Sequence, residues 1–331
     1  MRWIAGLLLF LTFFPGAPAM AADAPRLGLP VQCEMGRDCF IQQYFDTDPG
    51  PGAADYTCGP MSYDGHRGTD FRVRDRQMMR DGVPVIAAAD GVVVQTRDGM
   101  DDVDVSTIGR ESLQGNDCGN RVGLRHEGGW LTDYCHLRKG SVAVGKGDRV
   151  RKGDVIGKVG MSGAAEFPHV HFSLYAGREI IDPFRSHPPE VQCGETRSTF
   201  WDPALAPVLA YRPGGILDAG LFNRADLTWD DAKEGRARPE TLERDSAALL
   251  IWTVIYGIRK DDVLQLRITG PDGAELFANR VDPHPRNQAQ AFRFSGKRLR
   301  APLAPGRYQG LVQLIRDGRV YDAKAVSAEV R

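Results

Sequence analysis

The segment Pro168-His169-Val170-His171-Phe172-Ser173-Leu174-Tyr175 decides how the chain is read. Its apolar and polar residues alternate, which is the period of a β-strand, where residues two apart share a face. His169 and His171 therefore project together, while Val170 and Phe172 turn to the other side. Working outward, short apolar runs at 83–89, 91–95, 121–125, 130–136 and 155–159 alternate with Gly-rich turns. Closely spaced strands with little amphipathic helix between them predict an all-β domain over 61–185.

Beyond a linker at 186–200, rich in Pro, a second β region is expected over 201–331. Leu264, Leu266 and Ile268 alternate with Gln265, Arg267 and Thr269, and Phe292 and Phe294 flank Arg293 in the same way. Two strands at 307–316 and 319–330 flank Asp317-Gly318, a strong hairpin signal. Tyr308, early in the first of them, has the placement of the tyrosine corner of immunoglobulin-like sandwiches. A smaller immunoglobulin-like β-sandwich is the expectation, with no catalytic constellation in it.

The chain has 331 residues and carries 42 basic against 43 acidic residues, a formal net charge of −1. That balance leaves no global positive field for nucleic acid or an anionic membrane. A hydrophobic fraction of 42% argues against a largely disordered chain. At the N-terminus Arg2, the apolar run 3–14 and Ala19-Met20-Ala21 have the form of a signal peptide over 1–21. The expected product is exported, periplasmic or secreted, without stable membrane insertion. Export favours disulfides among Cys33, Cys39, Cys58, Cys118, Cys135 and Cys193, the first three of which lie in an irregular arm at 22–60. Sequence does not fix their connectivity, although Cys118 and Cys135 flank a hairpin and are suited to neighbouring strands.

Five of the seven His fall between His66 and His171. In Gly65-His66-Arg67-Gly68-Thr69-Asp70 an imidazole and a carboxylate lie four residues apart, and both suit Zn²⁺. In Tyr134-Cys135-His136-Leu137 strand alternation puts Tyr134 and His136 on one face and Cys135 on the other. A disulfide at Cys135 would then brace the strand from behind. Together these pieces have the composition of a catalytic zinc site with three ligands and two further His to move protons or hold an oxyanion.

At this point the chain resembles the lysostaphin-type (LytM-type) zinc metallopeptidases, peptidoglycan endopeptidases with the duplicated hybrid motif fold. The resemblance is carried by residues 63–71, by Gly82-Val83-Pro84-Val85-Ile86-Ala87 with Gly91-Val92-Val93, and by Gly119-Asn120-Arg121-Val122 leading to His126. It continues through Tyr134-Cys135-His136-Leu137, the Val/Gly repeat at 144–157, Gly160-Met161-Ser162-Gly163 and Pro168-His169-Val170-His171-Phe172. It implies one zinc held by His66, Asp70 and His171, with His136 and His169 as the catalytic pair, either one the base. It further implies that metal-activated water hydrolyses amide bonds in peptidoglycan stem peptides or cross-links, with room for a regulatory protein partner. His126 is read as structural, and His187 and His284, in Pro-rich loops, as solvated.

The chain departs from the family pattern at Phe167, where Gly is common, and at Ser173, where an acidic residue often follows. Phe167 could narrow a wall of the groove. An insertion at 97–118 carries Asp98, Asp101, Asp102, Asp104, Glu111 and Asp117. It is either a solvated acidic loop or a rim that occludes or steers substrate, and with the arm it leaves autoinhibition open. Two other classes compete. Non-catalytic LytM-type activators of cell-wall amidases typically lack ligands that are all present here. A biotinyl- or lipoyl-type carrier, suggested by the repeat at 144–159, lacks the lysine tip.

Overall fold

The computed structural model describes residues 24–185 and 199–331. The expected signal peptide, His187 and Cys193 lie outside the described residues. The first unit contains β1 (Cys39–Gln43), β2 (Thr69–Val73), β3 (Pro84–Ile86), β4 (Gly91–Arg97) and β5 (Asn120–Arg125). It continues through β6 (Trp130–Leu137), β7 (Arg149–Val150), β8 (Val155–Lys158), β9 (His169–Ala176) and β10 (Glu179–Ile181). Among the described residues these form an antiparallel sheet in the order β1-β2-β9-β6-β5-β4-β7, with β10 on the end of β9 and a separate β3-β8 pair. The fold is all-β, as the strand periodicity requires.

β9 lies inside this sheet and shows the expected two faces. Val170, Phe172 and Leu174 are fully buried in the core, under Trp201 and Tyr134. The other face carries His169 and His171. Register places Asp70 opposite His171 and Arg72 opposite His169 on β2, and Cys135 opposite His171 on β6.

The arm is more ordered than its composition suggests. It supplies β1, which pairs with β2, and it sends Leu27, Val31 and Tyr44 into the core. Cys33 and Cys39 are disulfide-bonded within it, and Cys58 is disulfide-bonded as well. Cys118 and Cys135 form a third bridge at 2.04 Å, across the β5–β6 hairpin that they flank.

The insertion is solvated in part and anchored in part: Asp101 and Glu111 are exposed, whereas Asp98 and Asp102 bind backbone amides of distant segments. Asp98 accepts from Gly140 and Val142, and Asp102 from Lys139 and Met161. Asp104 caps a short helix, Val105–Ile108, and pairs with Arg76 at 2.9 Å.

The second unit consists of β11 (Gly215–Phe222), β12 (Thr241–Leu242), β13 (Ala248–Ile258), β14 (Val263–Thr269), β15 (Glu275–Arg280), β16 (Gln288–Arg298), β17 (Gly306–Arg316) and β18 (Arg319–Val330). Sheets β11-β13-β16 and β12-β18-β17-β14-β15 enclose a core that includes Ile251, Leu266, Val312 and Leu314. Asp317 and Gly318 both take positive φ, the conformation of a two-residue type I′ hairpin turn. The Tyr308 hydroxyl donates to the Ala304 carbonyl at 3.1 Å, the corner hydrogen bond expected of that tyrosine. His284 corrects the sequence reading. It is 5% exposed, with Nε2 on Gln288 and Nδ1 accepting from Arg293, so its Pro-rich surroundings fold over it instead of exposing it.

The two units share a core. Phe40 packs at a tilt against Tyr256, and Trp252 and Tyr256 belong to the same buried cluster as the first unit's sheet. Trp201, at the expected start of the sandwich, packs instead on Phe71, Phe172 and Phe184. Arg238 pairs with Asp75, and Glu234 with Arg76 and Arg80. Among the described residues no helix is long and apolar enough to cross a membrane.

One buried carboxyl gives a stability test. Asp182 is 7% exposed, accepts from the Phe184 amide at 2.9 Å through Oδ1, and leaves Oδ2 without a partner. Burial pushes its carboxyl up to about 7. A folded-state value above the unfolded one gives stability that is complete below about pH 4 and is lost as pH rises through about 7. Asp182→Asn is therefore expected to raise the melting temperature at pH 8 by about 2–4 °C and to leave it unchanged near pH 4. Equal melting temperatures at pH 8 would contradict this account.

Candidate metal centre

The site lies on the polar face of β2 and β9, at the loop before β2 and at the end of β6. His66 sits in that loop, 1% exposed, four residues before Asp70 in β2. His66 Nε2 lies 3.1 Å from Asp70 Oδ1 and 3.2 Å from His171 Nδ1. His171 Nδ1 is 2.8 Å from the same Asp70 oxygen. Gly68 makes the approach possible, since a Cβ there would stand 2.5 Å from His171 Nε2 and 2.6 Å from the Phe172 carbonyl.

These three donor atoms form a group that could hold a metal ion. Ligands at zinc distances of about 2.0–2.1 Å in a tetrahedron stand about 3.3 Å apart, so the spacing needs only a small expansion. Two imidazoles and a carboxylate leave a fourth position for water or substrate. The residues fit zinc.

The proton arrangement supports the same use. His66 Nδ1 donates to the Tyr44 carbonyl at 2.6 Å, which leaves Nε2 with its lone pair toward Asp70. The Ser173 hydroxyl donates to the Arg67 carbonyl at 2.8 Å, so it accepts from His171 Nε2 at 3.1 Å. His171 Nδ1 is thereby left as the donor atom toward the centre. Such outer partners fix tautomer and ring orientation at metal sites. Ser173, a departure from the family pattern, fills this orienting position with a hydroxyl in place of a carboxylate.

Replacing Ser173 with Ala strips His171 of its acceptor. Zinc affinity is expected to fall about 10- to 100-fold, read by competition with a chromophoric chelator. Unchanged affinity in a folded variant would remove Ser173 from this role.

His136 and His169 stand beside the triad, their rings 4.6 Å apart. His136 Nδ1 donates to the Ser162 carbonyl at 2.7 Å and His169 Nδ1 to the Phe167 carbonyl at 2.9 Å. Each Nε2 keeps a lone pair, and that of His169 lies 3.7 Å from Asp70 Oδ1. Burial, reinforced by the neighbouring imidazoles, holds His136 well below the usual imidazole range, and burial lowers His169 as well. Burial opposes the Asp70 charge, but His66, His169 and His171 overcome it and keep the carboxyl well below its ordinary value. His66 is raised: burial acts against it, and the Asp70 carboxylate outweighs burial.

The placement of Cys135 overturns the sequence reading. His136 has φ +61°, outside the strand region, so alternation fails at that residue. Thr132 and Tyr134 point into the core, where the Tyr134 hydroxyl accepts from the Ala88 amide. Asp133, Cys135 and His136 all face an open cleft of about 320 Å³, together with Cys118, His66 and His171. The disulfide is a wall of the cleft, and the Cys118 carbonyl also holds the His136 amide at 2.8 Å.

Of the remaining residues singled out from sequence, His126 is bound on both nitrogens, to the Asp90 carbonyl and the Thr132 hydroxyl, away from the cleft. Phe167 does not line the cleft. Its ring lies between His169 and the Arg72 guanidinium, which also bonds Gln42 and Gln290.

Residues 64–183 match the sequence model described as peptidase family M23. An uncharacterized metalloprotease of Buchnera aphidicola is 29% identical over 118 residues, 36% of this chain and 25% of that protein. The peptidoglycan DD-endopeptidase ShyA of Vibrio cholerae is 32% identical over 124 residues, 38% of this chain and 23% of that protein. The chain spans about a quarter of the length of the curated relatives it matches. Among solved structures, the catalytic domain of lysostaphin from Staphylococcus simulans matches at 25% identity and a TM-score of 0.27, over 42% of this chain and 89% of that one.

Proposed function

Taking residues 64–183 as a peptidase family M23 domain, we propose that the protein is an exported, zinc-dependent endopeptidase. It hydrolyses amide bonds in the stem peptides or cross-links of peptidoglycan. The observation that carries this reading is the convergence of His66, Asp70 and His171 on one point, with the lone pairs of His136 and His169 beside it. His66, Asp70 and His171 would hold the ion. Zinc bound there supplies Lewis acidity toward the scissile carbonyl and a water acidic enough to attack near neutral pH.

The chain's own residues do the rest. Neutral His136 and His169, anchored through Nδ1, offer Nε2 to take a proton and later return it to the leaving amine. Backbone carbonyls of Ser162 and Phe167 fix both rings, so reorganisation during the reaction is small. The disulfide and the Arg110–Asp117 pair form one wall that keeps the cleft open to an extended peptide. Disulfides within the chain and the N-terminal segment 1–21 support a periplasmic or secreted location.

The test is digestion of purified peptidoglycan by the zinc-loaded protein, with and without a chelator, followed by mass spectrometry of the fragments. Chelator-sensitive loss of cross-linked muropeptides is the expected result. Intact cross-links with accessible substrate would reject the enzymatic reading.

A further inference from the structure

Three arginines line the cleft, and they are not equivalent. Arg110 is paired with Asp117 at 2.7 Å, and Arg121 with Asp133. The third, Arg67, makes no ion pair among the described residues, although it is the one next to a metal-binding residue, His66. Its backbone is fixed, because its carbonyl accepts the Ser173 hydroxyl that orients His171. Its exposed side chain lies across the Phe45 ring, with the guanidinium carbon 5.5 Å from the ring centroid. Stacking of this kind holds the planar fork in place without using its N–H donors.

The Arg67 guanidinium lies over Phe45, on the border between this cleft and a neighbouring cavity of about 600 Å³ that both residues line, and an unpaired guanidinium there is suited to bidentate recognition of a carboxylate. We infer that Arg67 is the specificity-determining residue of this cleft and binds a free carboxylate of the peptide laid across the His66–Asp70–His171 centre. The inference rests on the reading of the substrate as a cell-wall peptide, whose stem carries free carboxylates beside its amide bonds. Arg110 and Arg121, already neutralised, cannot offer the same contact without releasing an aspartate. Amidation of the substrate carboxylate would remove the charge and half of the fork's acceptors, so the site distinguishes amidated from free stems.

The experiment uses two probes: a synthetic stem tetrapeptide with free carboxylates, and the same peptide with those carboxylates converted to primary amides. Binding of each to the zinc-loaded full chain and to Arg67→Gln and Arg67→Lys is measured by calorimetry. Cleavage of the corresponding cross-linked dimers is followed in parallel. The unmodified protein is expected to bind the free acid about ten- to a hundredfold more tightly than the amide. Arg67→Gln should lose that preference, with its affinity for the amide and its zinc content unchanged, and Arg67→Lys should restore part of it. Equal affinity of the unmodified protein for both probes, or a preference that survives in Arg67→Gln, overturns the inference, as does failure to bind either probe. A binding preference without cleavage of either dimer leaves the role of Arg67 standing and rejects the endopeptidase reading. Cleavage of both dimers at equal rates does the reverse.

Discussion

Replacing His171 with Ala is expected to leave a folded protein that neither retains zinc nor cleaves peptidoglycan. The loss of activity should be about 10³-fold or more, since the Lewis-acid contribution is worth several kcal/mol of barrier. The geometry explains why one side chain matters so much. His171 supplies one of three donor atoms, and removing it leaves only His66 Nε2 and Asp70 Oδ1, 3.1 Å apart. Two donors cannot form the three-ligand site that holds zinc in hydrolytic centres. The fold should survive, because the core side of β9 consists of Val170, Phe172 and Leu174, which the substitution does not touch. Metal analysis and a thermal melt on the same sample separate the two effects. A folded variant with full zinc content and unchanged cleavage would exclude His171 as a ligand, and with it the proposed centre.

Much of this site was legible in the sequence because its side chains follow simple periodicities. His169 and His171 share a strand face by the two-residue repeat, whereas the meeting of Asp70 with His171 depends on the register of β2 on β9 and is expected only from the family resemblance. What could not be read falls into three physical kinds. The first is backbone: the carbonyls of Tyr44, Ser162 and Phe167 set three imidazole tautomers, and a carbonyl has no sequence signature. The second is local departure from regular geometry. Alternation assigned Cys135 to the back of β6, but the positive φ of His136 swings its imidazole to the side that Cys135 already faces. The third is tertiary context. Asp98 and Asp102 look solvated when read along the chain, yet they serve amides about 40 to 60 residues away. His284 is covered by closer neighbours, Gln288 and Arg293, four and nine residues on.

His136 and His169, as proposed proton carriers, should behave as one unit. His136→Ala and His169→Ala are each expected to lower kcat/KM on a cross-linked muropeptide by about 10²- to 10⁴-fold while retaining zinc. Retention is expected because neither residue belongs to the metal-binding group, and the outer partners of that group, Tyr44 and Ser173, are untouched. The double variant should be scarcely worse than the poorer single one. Both imidazoles are neutral, buried and anchored through Nδ1, with their rings 4.6 Å apart, so a proton on either disfavours a proton on the other. Groups coupled this closely share one transfer instead of making two, and their deletions are then far from additive. Fully multiplicative losses would mean two separate roles, one His moving the proton and the other stabilising the oxyanion throughout. Near-full activity in either single variant would remove that residue from the reaction.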